Sequence, residues 1–193
     1  MAGLPPLVLA SASPRRRALL EEGKYRFTVA PSHVREISPP HFSPGETVLF
    51  NARAKCRAIA LLHFEELVVG VDTEVALGQE VLGKPADMDA ALAMLLRLNG
   101  RSHHVYTGLW LARLADNLER GAIEVSTVYF KRLSEAKLRA YLERIGPLDK
   151  AGAYSAQEDH GELIDHVEGS FSNVVGLPME TLERELGRMG NDE

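Results

Sequence analysis

Apolar positions recur along this chain with two periods, and the changes of period mark its elements. Leu7-Val8-Leu9-Ala10 is an unbroken apolar run of the kind a buried strand presents. Ser13-Pro14 then reads as helix N-cap and first helical residue, the proline ring being preset for that turn. The helix covers 15–22, and Gly23 is expected as the residue just past its end. Residues 25–30 alternate as a strand. Pro31, Pro39, Pro40 and Pro44 make 31–43 an ordered loop or irregular lid. Ser43-Pro44-Gly45-Glu46 is a capping box that opens a helix reaching about residue 63. A fully apolar strand, 67–71, runs into Asp72, continues extended over 73–77, turns at Gly78-Gln79 and returns over 80–82.

Asp87 or Asp89 caps a helix through Leu98, which Asn99-Gly100 stops. Residues 104–114 and 124–131 read as two strands paired around Asp116-Asn117. Ser134 caps a helix over 135–145, and 147–154 is a glycine-containing loop. Residues 163–168 and Val174-Val175 are short strand candidates, Pro178 opens a final helix over 179–189, and 190–193 are expected to fray. Helices alternating with strands predict an α/β or mixed α+β sheet, with functional residues at strand ends and the loops after them. Without a repeat, a low-complexity tract or a linker, the 193 residues form one domain, or one domain folded as two lobes.

Composition narrows the classes of function. At 45% hydrophobic and 25% charged, the chain is no collagen, disordered or disulfide-framework protein. Its one cysteine, Cys56, excludes an intramolecular disulfide and reads as a small buried hydrophobe within a helix over 51–62. Met1 to Pro6 lack the basic and apolar regions of a signal peptide. No apolar run approaches the ~20 residues of a membrane span. A cytoplasmic protein without membrane attachment is therefore expected. The net charge of −5 disfavours a nucleic-acid coat. Any anion bound here must meet a local cluster of cations.

Three groups could build such a cluster. Ser11-Ala12-Ser13-Pro14-Arg15-Arg16-Arg17 places hydroxyls and guanidinium groups at a helix N-terminus, whose unpaired N–H groups suit a phosphate. Arginine there opposes the helix dipole by a few tenths of a kcal/mol, roughly, so either a ligand offsets that cost or the turn is merely solvated. Asp72 follows five apolar residues, where a carboxylate must cap, pair, bind metal or do chemistry. In an extended chain Glu74 shares its face, whereas Thr73 points to the other. Lys55, Lys84 and Lys150 have small or apolar neighbours, although each taken singly fits an ordinary surface lysine. The seven histidines show no zinc spacing, and no Walker A or dinucleotide glycine pattern occurs.

Taken together, several separated motifs resemble the Maf family of nucleoside triphosphate pyrophosphatases. They are Leu9-Ala10-Ser11-Ala12-Ser13-Pro14-Arg15-Arg16, Ala54-Lys55, Gly70-Val71-Asp72-Thr73, Gly83-Lys84-Pro85, His104-Val105-Tyr106-Thr107-Gly108, Asp149-Lys150-Ala151-Gly152-Ala153-Tyr154, and Glu168-Gly169-Ser170 with Asn173 to Pro178. The resemblance runs from Leu7 to about Leu186. It implies an elongated mixed α+β molecule similar to inosine triphosphatase, with a cleft between two lobes. It implies hydrolysis of a nucleoside triphosphate to monophosphate and pyrophosphate with Mg²⁺ or Mn²⁺, and a homodimer. By the same resemblance, Ser11, Arg15, Arg16, Lys55, Lys84 and Lys150 bind phosphate, Glu36 and Asp72 hold the metal, and Asp72 is the catalytic acid. Arg15, Thr73 and Gln157 match positions linked to substrate choice, and the set resembles the branch acting on dTTP and UTP rather than on 7-methyl-GTP. The chain departs from the family pattern at Glu74, at Arg35 and at Glu158-Asp159-His160. A modified nucleotide as the true substrate, or a non-enzymatic regulator of cell division that binds nucleotide or nucleic acid, are the alternatives; the acidic composition counts against the last and against a stable nucleic-acid partner.

Overall fold

The computed structural model describes residues 6–189; the expectations for 1–5 and for fraying at 190–193 lie outside them. In chain order the elements are β1 (Leu7–Leu9), α1 (Pro14–Glu22), β2 (Phe27–Val29), α2 (Pro44–Ala60), β3 (Leu67–Leu77), β4 (Glu80–Leu82), α3 (Met88–Leu98), β5 (Ser102–Arg113), β6 (Leu118–Phe130), α4 (Glu135–Ile145), β7 (Ile164–Glu168), α5 (Phe171–Val175) and α6 (Met179–Met189). The strands form one mixed sheet in the order β2-β1-β3-β5-β6-β7, with β4 also pairing β3. β1 lies parallel to β2 and β3, while β3, β5, β6 and β7 are mutually antiparallel neighbours. This is the mixed α+β sheet with flanking helices that the alternating pattern predicts.

One register detail positions the site. β5 covers one edge of β3 from Val68 to Ala76. On the other edge β1 pairs only residues 67–69, and β4 only 75–77. Residues 70–74 have no strand partner on that edge, and Asp72 stands at the middle of this gap. Ser11 is two residues past the end of β1, at the rim of the same opening.

Helix α2 lies against the sheet at unusually short range. A Cβ on Gly70 would fall 2.2 Å from the Ala52 carbonyl oxygen, and one on Gly108 would fall 2.3 Å from that of Val48. Both are far inside contact distance, so only glycine admits the helix there. Gly108 pairs directly with Asp72 across the ladder. The close approach therefore sets the face of α2 that carries Asn51 and Lys55 onto the gap in β3.

The core falls into an apolar cluster at each end of the sheet and a third beneath α2. Leu7, Leu9, Leu20, Val69, Val71, Leu182 and Leu186 pack α1 and α6 against one end. Val75, Leu95, Leu98, Val128, Leu138 and Leu142 pack α3 and α4 against the other. Under α2, Cys56 packs with Val8, Ile59, Ala60 and Val68. Burial pushes the Cys56 thiol up to about 12, as an inert buried cysteine requires.

Several sequence expectations need correction. Gly23 is right-handed at φ −71; Lys24, at φ 56, makes the left-handed turn. Helix α2 carries its capping box but ends at Ala60, short of residue 63. Strand β6 starts at Leu118, because polar Glu119 and Arg120 pair with Ala112 and Leu111 along the whole length of β5. Val174-Val175 lies in a helix, not a strand: the Ser170 hydroxyl caps it by accepting from the Asn173 N–H, and local capping overrides β-branched preference. Ser134 stands at the N-cap of α4 without a side-chain cap bond. Among the described residues, no helix is long and apolar enough to cross a membrane.

Candidate active site

A cavity of about 490 Å³ opens at the gap in β3. Its wall includes Arg15, Arg16, Lys55, Lys84 and Lys150, set against Glu36, Asp72 and Asp149. Charged residues dispersed from Arg15 to Lys150 thus meet at one opening, with cations outnumbering carboxylates. The size falls within the usual range for small-molecule sites, roughly 300–1,000 Å³.

Asp72 is only 6% exposed, and both of its oxygens are occupied. Oδ1 accepts from the Lys55 ammonium at 2.7 Å and Oδ2 from the Asn51 amide at 3.0 Å. Lys55 also reaches Glu36 at 2.5 Å, so one buried cation joins the two carboxylates. Burial alone would raise the Glu36 pKa. The hydrogen bond and charge of Lys55, helped by Lys84 and Arg16, outweigh it and hold Glu36 below its usual value.

Asn51 was not among the residues singled out from sequence, yet it organises this corner. Its Oδ1 accepts from the Ile37 N–H while its Nδ2 donates to the Ile37 carbonyl, each at 3.0 Å. The irregular segment that carries Glu36 is thereby fastened to α2 beside Asp72. The signal available in sequence was spacing: Asn51 and Lys55 are four apart on one helix and share a face.

Arg16 is held on three sides. Nη1 donates to the Ser11 hydroxyl at 2.9 Å, Nη2 to the Thr73 hydroxyl at 3.1 Å, and Nε to the Gly176 carbonyl at 2.8 Å. Burial lowers its pKa to about 10, against the opposing pull of Asp72, so it remains charged at neutral pH. Thr73 lies on the face opposite Asp72, as strand alternation requires, and meets Thr107 at 3.0 Å. Thr107 and the carbonyl of Gly176 are the other members of this network that single-residue reasoning passed over.

The remaining cations differ in what they have free. Arg15 has one long contact, 3.4 Å to Asp149. Lys84 is exposed and makes no hydrogen bond or ion pair among the described residues. Lys150 lines the cavity, but its ammonium donates to the carbonyls of Ile145 and Gly146 and to Asp149. Two of its donors thus tie off the end of α4 and the third goes to Asp149, which leaves its charge rather than a free N–H for a ligand. Gln157 is exposed and does not line the cavity; its neighbour Ala156 does.

Glu74 lies beyond Asp72 on the same face, in a smaller adjoining cavity of about 230 Å³ shared with Glu36, Asp72 and Lys84. Burial, then the charges of Asp72 and Glu36, raise its pKa to about 7. The departure at Glu158-Asp159-His160 has a structural account in Asp159, whose buried carboxylate accepts the N–H groups of Leu163 and Ile164 and starts β7.

Among the described residues no three His, Cys, Asp or Glu side chains gather into a metal cage. The donor set nevertheless fits one kind of metal. Mg²⁺ and Mn²⁺ favour oxygen ligands, and Mg²⁺ is typically held by one or two carboxylates with substrate phosphates and water completing the shell. Glu36 and Asp72 supply such a pair on the wall of a cation-rich cavity.

The family model for Maf-like proteins matches residues 6–189. The chain is 43% identical over 190 residues to the dTTP/UTP pyrophosphatase of Desulfitobacterium hafniense strain Y51, covering 95% of this chain and 85% of that one. It is 45% identical over 186 residues to the dTTP/UTP pyrophosphatase of Myxococcus xanthus strain DK1622, with 95% and 92% covered. Among solved structures, the HAM1 protein of Coxiella burnetii overlaps 67% of this chain and 75% of its own at 16% identity, with a TM-score of 0.45. That score is too low to bear on the fold, which stands on its own strand pairings.

Proposed function

The chain belongs to the Maf family, and from that premise we propose that it is a nucleoside triphosphate pyrophosphatase, with dTTP and UTP as its substrates. The observation that carries the reading is the juxtaposition of a lysine-bridged carboxylate pair, Glu36 and Asp72, with four further cations on one cavity wall. A triphosphate brings several negative charges, and a cavity of this charge attracts it where the acidic outer surface does not.

The triphosphate lies along the rim between Ser11 and Lys84. Arg16, fixed by three acceptors, presents a charge that needs no reorganisation when the phosphates arrive. Arg15 and Lys84 have free donors and close on the β- and γ-phosphates. Glu36 and Asp72 hold a divalent cation, Mg²⁺ or Mn²⁺, which when bound adds neutralisation of phosphate charge. A water hydrogen-bonded to Asp72 is aimed at the α-phosphorus. Its oxygen bonds the phosphorus, its proton passes to Asp72, and the bond to the α–β bridging oxygen breaks. Pyrophosphate departs with that electron pair, its charge met by Arg15, Arg16 and Lys84. Positioning and charge stabilisation supply most of the acceleration, and no covalent intermediate is required.

By the same reading the protein is a homodimer, in which the exposed Ile123 and Val125 of β6 are the side chains a second copy would cover. The activity is tested by pyrophosphate release from dTTP, UTP, CTP and 7-methyl-GTP with Mg²⁺. Release from dTTP and UTP well above the other two is expected. Release from none of them refutes the reading, and release from 7-methyl-GTP alone replaces its substrate.

A further inference from the structure

Beyond the phosphate-binding residues, the cavity has an apolar end formed by Val75, Val105, Tyr154, Ala156 and Val174. Tyr154 is already engaged there. Its hydroxyl meets His103 Nε2 at 2.9 Å, and its ring is packed edge-on against His103 and Phe130. It therefore offers an apolar ring and no available hydroxyl. The residue beside it differs. Ser155 lines the same cavity, is 3% exposed, and its hydroxyl has no hydrogen-bond partner in the protein.

The backbone of Ser155 is pinned on both sides by one group. The Tyr141 hydroxyl accepts from the Ser155 N–H at 3.2 Å and donates to the Ser155 carbonyl at 3.4 Å. Tyr141 is itself 2% exposed, so this clamp is rigid. What remains free is the hydroxyl, which in this rotamer is shielded from the cavity that the rest of the residue lines. A buried hydroxyl without a partner is costly to the fold, and a hydrogen bond from a ligand atom offsets that cost. An apolar wall with a few placed polar groups is the usual form of a small-molecule site.

We infer that Ser155, its hydroxyl turned to the cavity by rotation about the Cα–Cβ bond, hydrogen-bonds the base of the substrate and is a specificity-determining residue. The inference rests on the pyrophosphatase reading, since it places the nucleotide's phosphates at the cationic end and so its base at the apolar one. A hydroxyl both donates and accepts, so it can meet the carbonyl and N–H edge of an oxopyrimidine.

Ser155→Ala removes the hydroxyl and little else. The test compares its binding of two probes by calorimetry with Mg²⁺: α,β-imido-dTTP, which carries the base and resists hydrolysis, and inorganic pyrophosphate, which lacks the base. Loss of one neutral hydrogen bond predicts roughly five- to tenfold weaker binding of the imido nucleotide. Pyrophosphate affinity should be unchanged and Tm equal to or above that of the wild type, because an unsatisfied hydroxyl is gone. Turnover of dTTP should show the loss in KM with kcat nearly kept. Unchanged affinity for the imido nucleotide overturns the inference. So does parallel weakening of both probes with a lower Tm, which would mark Ser155 as structural. Failure of the underlying reading shows separately, as absence of pyrophosphate release by the wild-type protein.

Discussion

Replacing Asp72 by asparagine should nearly abolish turnover at a calculable and modest cost in stability. The carboxylate accepts from Lys55 on one oxygen and from Asn51 on the other. The asparagine keeps one acceptor, which the charged Lys55 claims, so its NH₂ must face the NH₂ of Asn51. Asn51 cannot rotate to relieve this, because its own amide is fixed by both the N–H and the carbonyl of Ile37. One buried donor confrontation costs about 1–3 kcal/mol. For a chain of 193 residues, at ~2.1 cal/mol/K per residue, that is a Tm loss of about 2–7 °C. Loss of the proton acceptor should lower kcat by about 10²–10⁴. Pyrophosphate release and calorimetric Tm read the two effects independently. Adding Asn51→Ala to Asp72→Asn removes the confronted donor, so the stability loss of the double variant should be smaller than the sum of the two singles. Wild-type activity in Asp72→Asn would refute the assignment of Asp72 as the base, and strict additivity would refute the donor-clash argument.

Three further outcomes are expected. Arg16→Lys cannot reproduce a fork that serves Ser11, Thr73 and Gly176 at once, so kcat/KM should fall about 10- to 100-fold; near-normal kinetics would mean that bare charge suffices. Gly70→Ala puts a methyl into the α2 backbone at 2.2 Å, which should lower stability by about 3 kcal/mol or more and disturb the Lys55–Asp72 contact, as thermal melts and turnover would show. Burial, with a smaller contribution from the charge of His104, holds His103 down to about 3. Because the unfolded chain takes up that proton first, stability is intact above about pH 6.5 and is lost as pH falls from there toward 3. At pH 5 the loss is about 2 kcal/mol, and His103→Phe should flatten that part of the Tm–pH curve.

The sequence made the elements legible wherever capping and apolar period agreed. The capping box at Ser43 and Glu46, the Asp87 cap of α3 and the left-handed turn at Gly100 just past its end are cases in which local chemistry decides. It misled where tertiary pairing decides, as at β6, whose polar first half is a strand only because β5 lies beside it. Val174-Val175 looked like a strand because β-branching is a weaker determinant than the Ser170 cap. At the site, motifs identified the residues that converge but not what each has free. That Lys150 is occupied by the end of α4, that Asn51 fastens the Glu36 segment, and that Ser155 has a hydroxyl without a partner follow from packing between distant segments, which no linear pattern encodes.

The central claim is attack of water on the α-phosphorus of a nucleoside triphosphate bound across the gap in β3. Hydrolysis of dTTP in H₂¹⁸O with Mg²⁺, followed by mass spectrometry of both products, tests it most directly. One ¹⁸O in dTMP, with unlabelled pyrophosphate released in equal amount, is the predicted result. Label in the pyrophosphate, or dTDP and orthophosphate as products, would contradict it.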